Sequence, residues 1–326
     1  MARLSLGPFQ GITDAPFRNV FKQHFGGIDK YYTPFFTGIQ KDHAKNLQTE
    51  EIDPSCNDVD TLTPQILSTD AEEILRFATQ CKQLGYKTIN LNMGCPFPRV
   101  ANKKRGSGLL PYPEKVNEIF ERVFESIEVD FSVKCRLGYF NSSEIYPMIE
   151  IFNRYPLSEL IIHPRIGKQL YKGEADLEKF KEIMPLIKAP LVYNGDIVSV
   201  ESFERIGKAL NCFTSTGSVN ESSVEEFMLG RGLLANPFLA EQIKGMESQG
   251  DKKMRLHAYA IALYEDRLRH AGGSPKVLGR MKELWSYLMN SFDDPQNVWR
   301  KIKKINALKD YENTVEKIFR EMEIMI

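Results

Sequence analysis

Hydrophobic and polar positions divide the chain into two unlike parts. From residue 3 to about residue 240, short apolar or β-branched runs alternate with longer amphipathic segments, the sequence sign of βα units around a parallel sheet. Eight runs have strand character, at 3–6, 30–36, 61–67, 88–92, 131–137, 160–164, 191–194 and 227–230. Helix-like stretches such as 71–84, 113–126 and 200–209 stand between them. The last run follows an unusually polar stretch, Asn220-Glu221-Ser222-Ser223-Val224-Glu225-Glu226. Eight such units close into a (β/α)8 TIM barrel. An open dinucleotide-binding sheet would need a G-x-G-x-x-G after its first strand, and none follows 3–6.

Beyond residue 245 the period becomes helical. The segments 252–270, 276–290, 295–307 and 313–325 read as helices, with Gly272-Gly273-Ser274-Pro275 and Asp293-Asp294-Pro295 as breaks that also supply caps. The expected organisation is an α/β fold: a TIM barrel over 1–244, followed by a small C-terminal helical bundle over 245–326. The chain's 326 residues suffice for a barrel of the usual ~250 residues and a small second domain.

Charge and cysteine usage narrow the partners. Basic and acidic residues number 43 each, so no global basic field announces a nucleic acid. Arg300, Lys301, Lys303 and Lys304 crowd one predicted helix, with Lys276, Arg280 and Lys282 on another. They read as solvated helix faces or as a local phosphate-binding surface. The cysteines, Cys56, Cys81, Cys95, Cys135 and Cys212, are odd in number, scattered and without a C-x-x-C pair. That argues against a disulfide framework and against a zinc or iron–sulfur site, so no metal is expected and the cytoplasm is the expected location. The stretch Met1-Ala2-Arg3-Leu4-Ser5-Leu6-Gly7 reaches glycine and proline too soon for a signal-peptide core, and no run approaches ~20 apolar residues. No membrane association is expected. No repeat or oligomerisation seam is visible, and a monomer is expected.

In a barrel, residues just past the strand ends share one mouth. Gly7-Pro8-Phe9-Gln10-Gly11 follows the first strand, and Gln65 lies in the third. By alternation Asn90 and Asn92 share a face of the fourth, which ends at Gly94-Cys95-Pro96. Pro96 stops both strand and helix and leaves the thiol at the sheet's edge. A lone cysteine is ordinarily a small buried hydrophobe, but two amides on the same face suit a polar pocket. Ser132, Lys134 and Arg136 alternate in the fifth strand, as part of a buried ion pair or as cations facing a bound anion. His163 and Arg165 end the sixth strand, Asn194-Gly195-Asp196 the seventh and Gly230-Arg231-Gly232 the eighth. Glycines after the last two strands, with Asn236-Pro237 close behind, let backbone amides approach a phosphate. The 96–110 loop carries Arg99, Lys103, Lys104 and Arg105. It reads as a mobile functional lid, a disordered segment or a solvated charge run.

Asn92-Met93-Gly94-Cys95-Pro96, followed by Val100 and by Gly106-Ser107-Gly108-Leu109-Leu110, resembles the signature of the tRNA-dihydrouridine synthases, flavin enzymes that reduce a uracil in folded tRNA. The family's motifs recur in order from residue 4 to about 240. The resemblance implies an FMN cofactor held by Gly7, Pro8 and Phe9, by Gln65 on the isoalloxazine ring, by Lys134, and by His163 near ring and phosphate. Asn194, Gly195, Asp196, Gly230 and Arg231 would form the phosphate site. It further implies NADPH or NADH as reductant and tRNA as partner. Cys95 would be the general acid that protonates C5 as hydride reaches C6, which requires a thiol that stays protonated. Asn92 would hold the uracil edge, Arg136 and Arg165 would meet its carbonyls or a phosphate, and Lys103, Lys104 and Arg105 would meet RNA. The target uridine would be flipped into the mouth.

Two departures stand out. The opening reads Gly7-Pro8-Phe9 where the family has Ala-Pro-Met, and His163-Pro164-Arg165 replaces His-Gly-Arg, which removes a backbone donor. The segment Met281-Lys282-Glu283-Leu284-Trp285-Ser286-Tyr287-Leu288 resembles the branch that acts on the early D-loop uridine. A flavin barrel reducing a free pyrimidine or related enone, and a catalytically silent tRNA-binding protein, remain as alternatives.

Overall fold

A computed structural model describes residues 2–39, 50–212, 224–247, 250–270 and 273–326. Nine strands form one parallel sheet: β1 Arg3–Leu6, β2 Lys30–Tyr32, β3 Leu62–Thr63, β4 Gln65–Ile66, β5 Thr88–Met93, β6 Asp130–Gly138, β7 Glu159–Ile166, β8 Leu191–Tyr193 and β9 Val224–Leu229. Their order is β3-β2-β1-β9-β8-β7-β6-β5-β4. β3 and β4 are halves of the expected third strand, one paired with β2 and the other with β5. They close the barrel around Pro64, which has no N–H to give either neighbour; its carbonyl still accepts the Asn90 N–H at 2.9 Å.

Strand bounds differ from expectation where proline or polarity misleads. β2 ends at Tyr32, just before Pro34, and only Phe36 makes an isolated bridge to Ile66. β7 runs through Pro164 to Ile166. β9 begins at Val224 and includes polar Glu226 opposite Arg3. The start of that polar stretch, Asn220 to Ser223, lies outside the described residues, as does Gly272 of the expected break.

The helices are α1 Ala15–His24, α2 Ala71–Gln83, α3 Pro98–Ala101, α4 Pro113–Phe124, α5 Ile145–Phe152, α6 Leu177–Ile183, α7 Val200–Ala209, α8 Arg231–Ala235, α9 Leu239–Ile243, α10 Lys252–His270, α11 Ser274–Leu288, α12 Pro295–Ile302 and α13 Leu308–Glu321. Local chemistry starts them: the Asp14, Asp70, Ser199 and Asp294 side chains accept N–H bonds from the first turns of α1, α2, α7 and α12. The last two helices meet earlier than expected, because Ala307 is extended and restarts the chain at Leu308. Lys303 is therefore the cap of α12, its N–H bonded to the Trp299 carbonyl at 2.9 Å, and Lys304 lies one residue beyond it.

Strand alternation sorts the sheet into an inner and an outer layer. Leu160, Ile162, Leu191, Tyr193, Phe227 and Leu229 join the large core against the helices, while Tyr32, Ile161, Val192 and Met228 form a separate plug. Along β7 the other register reads Glu159, Ile161, His163 and Arg165, all buried: an acid at one end, the plug, then two mouth residues. The helical part docks on this frame, α10 against α1 and α11 against α8. Arg267 of α10 reaches both carboxylate oxygens of Asp14 at 2.8 Å and donates to the Ile12 carbonyl at 3.2 Å. The tail thereby grips the segment after β1.

Candidate active site

A string of amides crosses the barrel beneath the thiol. Asn90 donates to Ser132 Oγ at 2.9 Å, Gln65 to Asn90 Oδ1 at 2.8 Å and Asn92 to Gln65 Oε1 at 2.8 Å. Register places these partners together, since Gln65 pairs with Asn90, and Asn90 with Ser132. Asn92 Oδ1 then accepts the N–H groups of Gly94 and Cys95 at 3.1 and 2.9 Å. Its side-chain carbonyl thereby holds the strand-end turn, while the residue, expected at the uracil edge, lines the cleft.

Cys95 is fixed from its other sides too. Its carbonyl accepts the Ser107 N–H at 3.0 Å and the Ser107 hydroxyl at 3.1 Å, while Arg136 Nε donates to the Gly94 carbonyl at 3.0 Å. Burial pushes the thiol above its ordinary value, against the opposing pull of the Phe97 N–H, Arg136 and Arg99. Burial thus outweighs the cations and favours the protonated thiol.

The segment after Cys95 is folded. α3 and a short 3-10 turn at Gly106–Leu109 fill it, with Gly106 to Leu110 buried. A Cβ at Gly108 would lie 2.2 Å from the Ala101 carbonyl oxygen, so only glycine permits the two turns to touch. Lys103 and Lys104 project to solvent outside the cleft, with Lys104 over the Tyr112 ring. Arg105 lies within 3.4 Å of Thr37 Oγ1. Arg99, not those three, lines the cleft.

Arg136 and Arg165 are buried. Arg136 also donates to the Ile166 and Leu170 carbonyls at 2.9 and 2.6 Å. Arg165 donates to the Gly173 carbonyl and to Asp196 Oδ2, each at 2.6 Å. Its NH1 lies 3.0 Å from His163 Nε2. A guanidinium can only donate, so Nε2 accepts and the ring proton belongs on Nδ1. Burial first, then Arg136, Lys134, Arg165 and Arg231, hold His163 well below its ordinary value, and it is neutral.

Lys134 donates to Asn194 Oδ1 at 2.6 Å, and Asn194 donates in turn to the Met228 carbonyl at 2.9 Å. Burial and then Arg136 lower the Lys134 ammonium to about 7. Asp196 takes Arg165, Arg231 NH2 at 3.1 Å and the Ala175 N–H at 2.8 Å. Burial would raise its carboxyl, but the Arg165 hydrogen bond and its other donors keep it low. A Cβ at Gly232 would lie 2.1 Å from the Ile197 carbonyl oxygen, so the last two strand-end loops meet only because that residue is glycine.

These groups line two adjoining hollows. The smaller is walled by Gly7, Asn194, Gly195, Asp196, Gly230 and Arg231. The larger, about 1170 Å³ and open to solvent, contains Gln65, Asn92, Cys95, Phe97, Arg99 and Arg136. Pro8, Phe9, Lys134, His163 and Tyr171 line both, making one elongated cleft. Sequence reasoning missed Tyr171, which packs under Arg136 and Arg231 with guanidinium-to-ring distances of 5.4 and 4.8 Å. It also missed the wall supplied by Glu283, Ser286 and Tyr287 of α11. Tyr287 meets Phe9 edge-on at 6.1 Å. Tyr171 lies beyond any strand end, and α11 is distant in sequence, so neither carried a positional signal.

A parallel barrel with its polar groups gathered at the C-terminal mouth is the architecture of a barrel enzyme. The family described as "Dihydrouridine synthase (Dus)" matches residues 5–323. The chain belongs to this dihydrouridine synthase family of flavin-dependent oxidoreductases. Similar proteins include the tRNA-dihydrouridine synthase B of Pasteurella multocida, 28% identical over 238 residues, covering 73% of this chain and 67% of that protein. The tRNA-dihydrouridine(16) synthase of Neisseria meningitidis serogroup B is 25% identical over 331 residues, 98% of this chain and 96% of that protein. That of Cupriavidus necator is 27% identical over 325 residues, 97% of each.

Proposed function

We propose that this protein reduces the C5–C6 double bond of a D-loop uridine in tRNA, with FMN in the cleft, NADPH or NADH as reductant and Cys95 as proton donor. The observation that carries the reading is a thiol kept neutral by burial at one end of a cleft whose other end is cationic. Whole-length similarity to (16) synthases, through the helical part, favours position 16.

The residues fit FMN. The narrow end gathers Lys134, Arg165 and Arg231 around a single acid, Asp196. Among the described residues the Arg165 Nε–H is buried without an acceptor, as a donor awaiting an anion would be. A phosphate there would answer that donor, and a flat ring between Phe9, Lys134 and Gln65 would reach toward Cys95. Reduced flavin, when bound, supplies hydride to C6 of the base.

The chain's own groups handle the proton. Asn92, Arg136 and Ser107 hold the turn so that Cys95 Sγ keeps one place, and the proton leaves Sγ for C5. The resulting thiolate is received by the groups that already favour it, the Phe97 N–H, Arg136 and Arg99. Tyr171 and Tyr287 supply aromatic walls for a base drawn out of the RNA fold.

The test is nucleoside mass analysis of unmodified tRNA after incubation with the protein, FMN and NADPH. A gain of two hydrogens on uridine, mapped by fragmentation to the D-loop, is expected. Bound flavin that oxidises NADPH without that gain would make the protein a small-molecule reductase instead.

A further inference from the structure

Cys95 is buried, yet two residues later Phe97 is 47% exposed at the lip of the same cleft. An exposed phenylalanine at the rim of a polar site invites the question of what covers it. Its setting is unusually stiff. Phe97 stands between Pro96 and Pro98, each with φ fixed by its ring, and a residue before proline is held extended; its own φ and ψ are −62° and 134°. Its carbonyl accepts the Val100 and Ala101 N–H groups at 2.8 and 2.9 Å, and its N–H faces the Cys95 thiol. The ring is therefore presented on a turn whose backbone the two prolines and these hydrogen bonds restrict. Beside it on the cleft wall is Arg99, exposed like Lys103 and Lys104 nearby in the chain, a cationic setting that suits a polyanion and not an apolar protein partner.

We propose that Phe97 is a stacking wedge: its ring takes the face of the nucleobase adjoining the extruded uridine and covers the gap that extrusion opens. The inference rests on the RNA-reducing reading above. Flipping a base out sacrifices its stacking on both neighbours, and an aromatic side chain of any sequence tolerance can restore one of those contacts. Phe97 is placed for this because the thiol that must meet the flipped base and the ring that must meet its neighbour share one turn. The ring acts on binding and extrusion, while proton delivery stays with Cys95.

The test compares wild type, Phe97→Ala, Phe97→Leu and Phe97→Trp, all flavin-loaded, in steady-state reduction of a tRNA transcript. A second transcript carries an abasic residue beside the target uridine. Loss of one aromatic–base stack corresponds to about tenfold to hundredfold. Phe97→Ala is expected to raise KM for the intact transcript by about that factor, with kcat carrying little of the loss. Phe97→Trp should restore KM and Phe97→Leu should not. The abasic transcript should weaken wild type but not further weaken Phe97→Ala, since the two changes remove the same contact. Equal KM for wild type and Phe97→Ala, or additive losses with the abasic transcript, would overturn the wedge. So would a loss confined to kcat, which would mean a displaced Cys95. Absence of reduction by wild type on either transcript would instead strike the RNA-reducing reading itself.

Discussion

The two ends of the barrel are built from the same strands and solve opposite electrostatic problems. At the mouth, Lys134, Arg165 and Arg231 line the narrow hollow that holds Asp196, and Arg99 and Arg136 line the wider one, with Glu283 of α11. At the closed end, Glu159 and Glu226 are buried, with Lys30 at 3.0 Å from Glu159, the Tyr32 hydroxyl donating to it, and Arg3 at 3.3 Å from Glu226. The plug of Tyr32, Ile161, Val192 and Met228 lies in the barrel interior. Along β7 the same alternation delivers Glu159 to one end and His163 and Arg165 to the other. The closed end pairs Glu159 with Lys30 and Tyr32 and leaves Glu226 more weakly paired, with Arg3 at 3.3 Å. The mouth has an excess of one sign, and a buried excess of cations is relieved by a bound anion or, at Lys134, by loss of a proton. The contrast marks the mouth as the place built for a ligand.

The largest effect expected from breaking this contrast is at Cys95. Cys95→Ala should lower single-turnover reduction of tRNA uridine by ~10²–10⁴, the usual contribution of a positioned acid, with FMN still bound as read by its absorbance. In wild type kept saturated with FMN at every pH, the single-turnover rate should hold through neutral pH and fall only at alkaline pH, because burial raises the thiol and the proton is lost only as pH climbs past that raised value. A rate that falls instead across the neutral range would show a thiol that is not buried and neutral.

Next comes Lys134. Lys134→Met removes a hydrogen-bonded cation and should weaken FMN about tenfold to hundredfold, from ~1.5–3 kcal/mol for a hydrogen bond to a charged group. Its ammonium is lowered to about 7 in the free site. Rising pH therefore discharges it, and wild-type FMN affinity measured by fluorescence quenching should fall through that range. The variant should lose this slope; an unchanged slope would place the titration elsewhere.

Much of this was legible in the chain. Strand-end reading places Gln65, Cys95, Lys134, His163, Asn194, Asp196 and Arg231 around one mouth, and they line the joined hollows, because a parallel barrel sends all its strand ends to one mouth and alternation fixes which side chains turn in. Pro64 hid the break that yields nine strands, since the rest of that run has continuous strand character. Tyr171 was not singled out, and Tyr287 stood only within the 281–288 segment without a place in the cleft, because loop and domain packing, not periodicity, brings them there. Asn92 and Arg136 were expected at the substrate. Both line the cleft, and their hydrogen bonds also hold the turn under the thiol, a positioning role that spacing does not encode.

The smallest effect belongs to the closed end. Burial, and then the nearby Glu159 carboxylate, raise the Glu226 carboxyl above its ordinary 4.5. A carboxyl raised on folding binds more protons in the native state than in the unfolded chain between the two values. Its stabilising contribution is therefore complete below 4.5 and is lost as pH rises through the higher native value. Glu226→Gln keeps the shape, removes the charge and cannot titrate. It should raise stability at neutral pH by on the order of 1 kcal/mol, as neutralising a poorly paired buried charge does. It should also flatten the decline of stability with rising pH above 4.5, followed by urea melts at several pH values. Because the plug residues separate it from the cleft, tRNA reduction should stay at the wild-type rate. A variant whose melts keep the wild-type pH slope would show that Glu226 is ionised and well paired in the fold, and that the closed end holds its charges as the mouth would with its ligand bound.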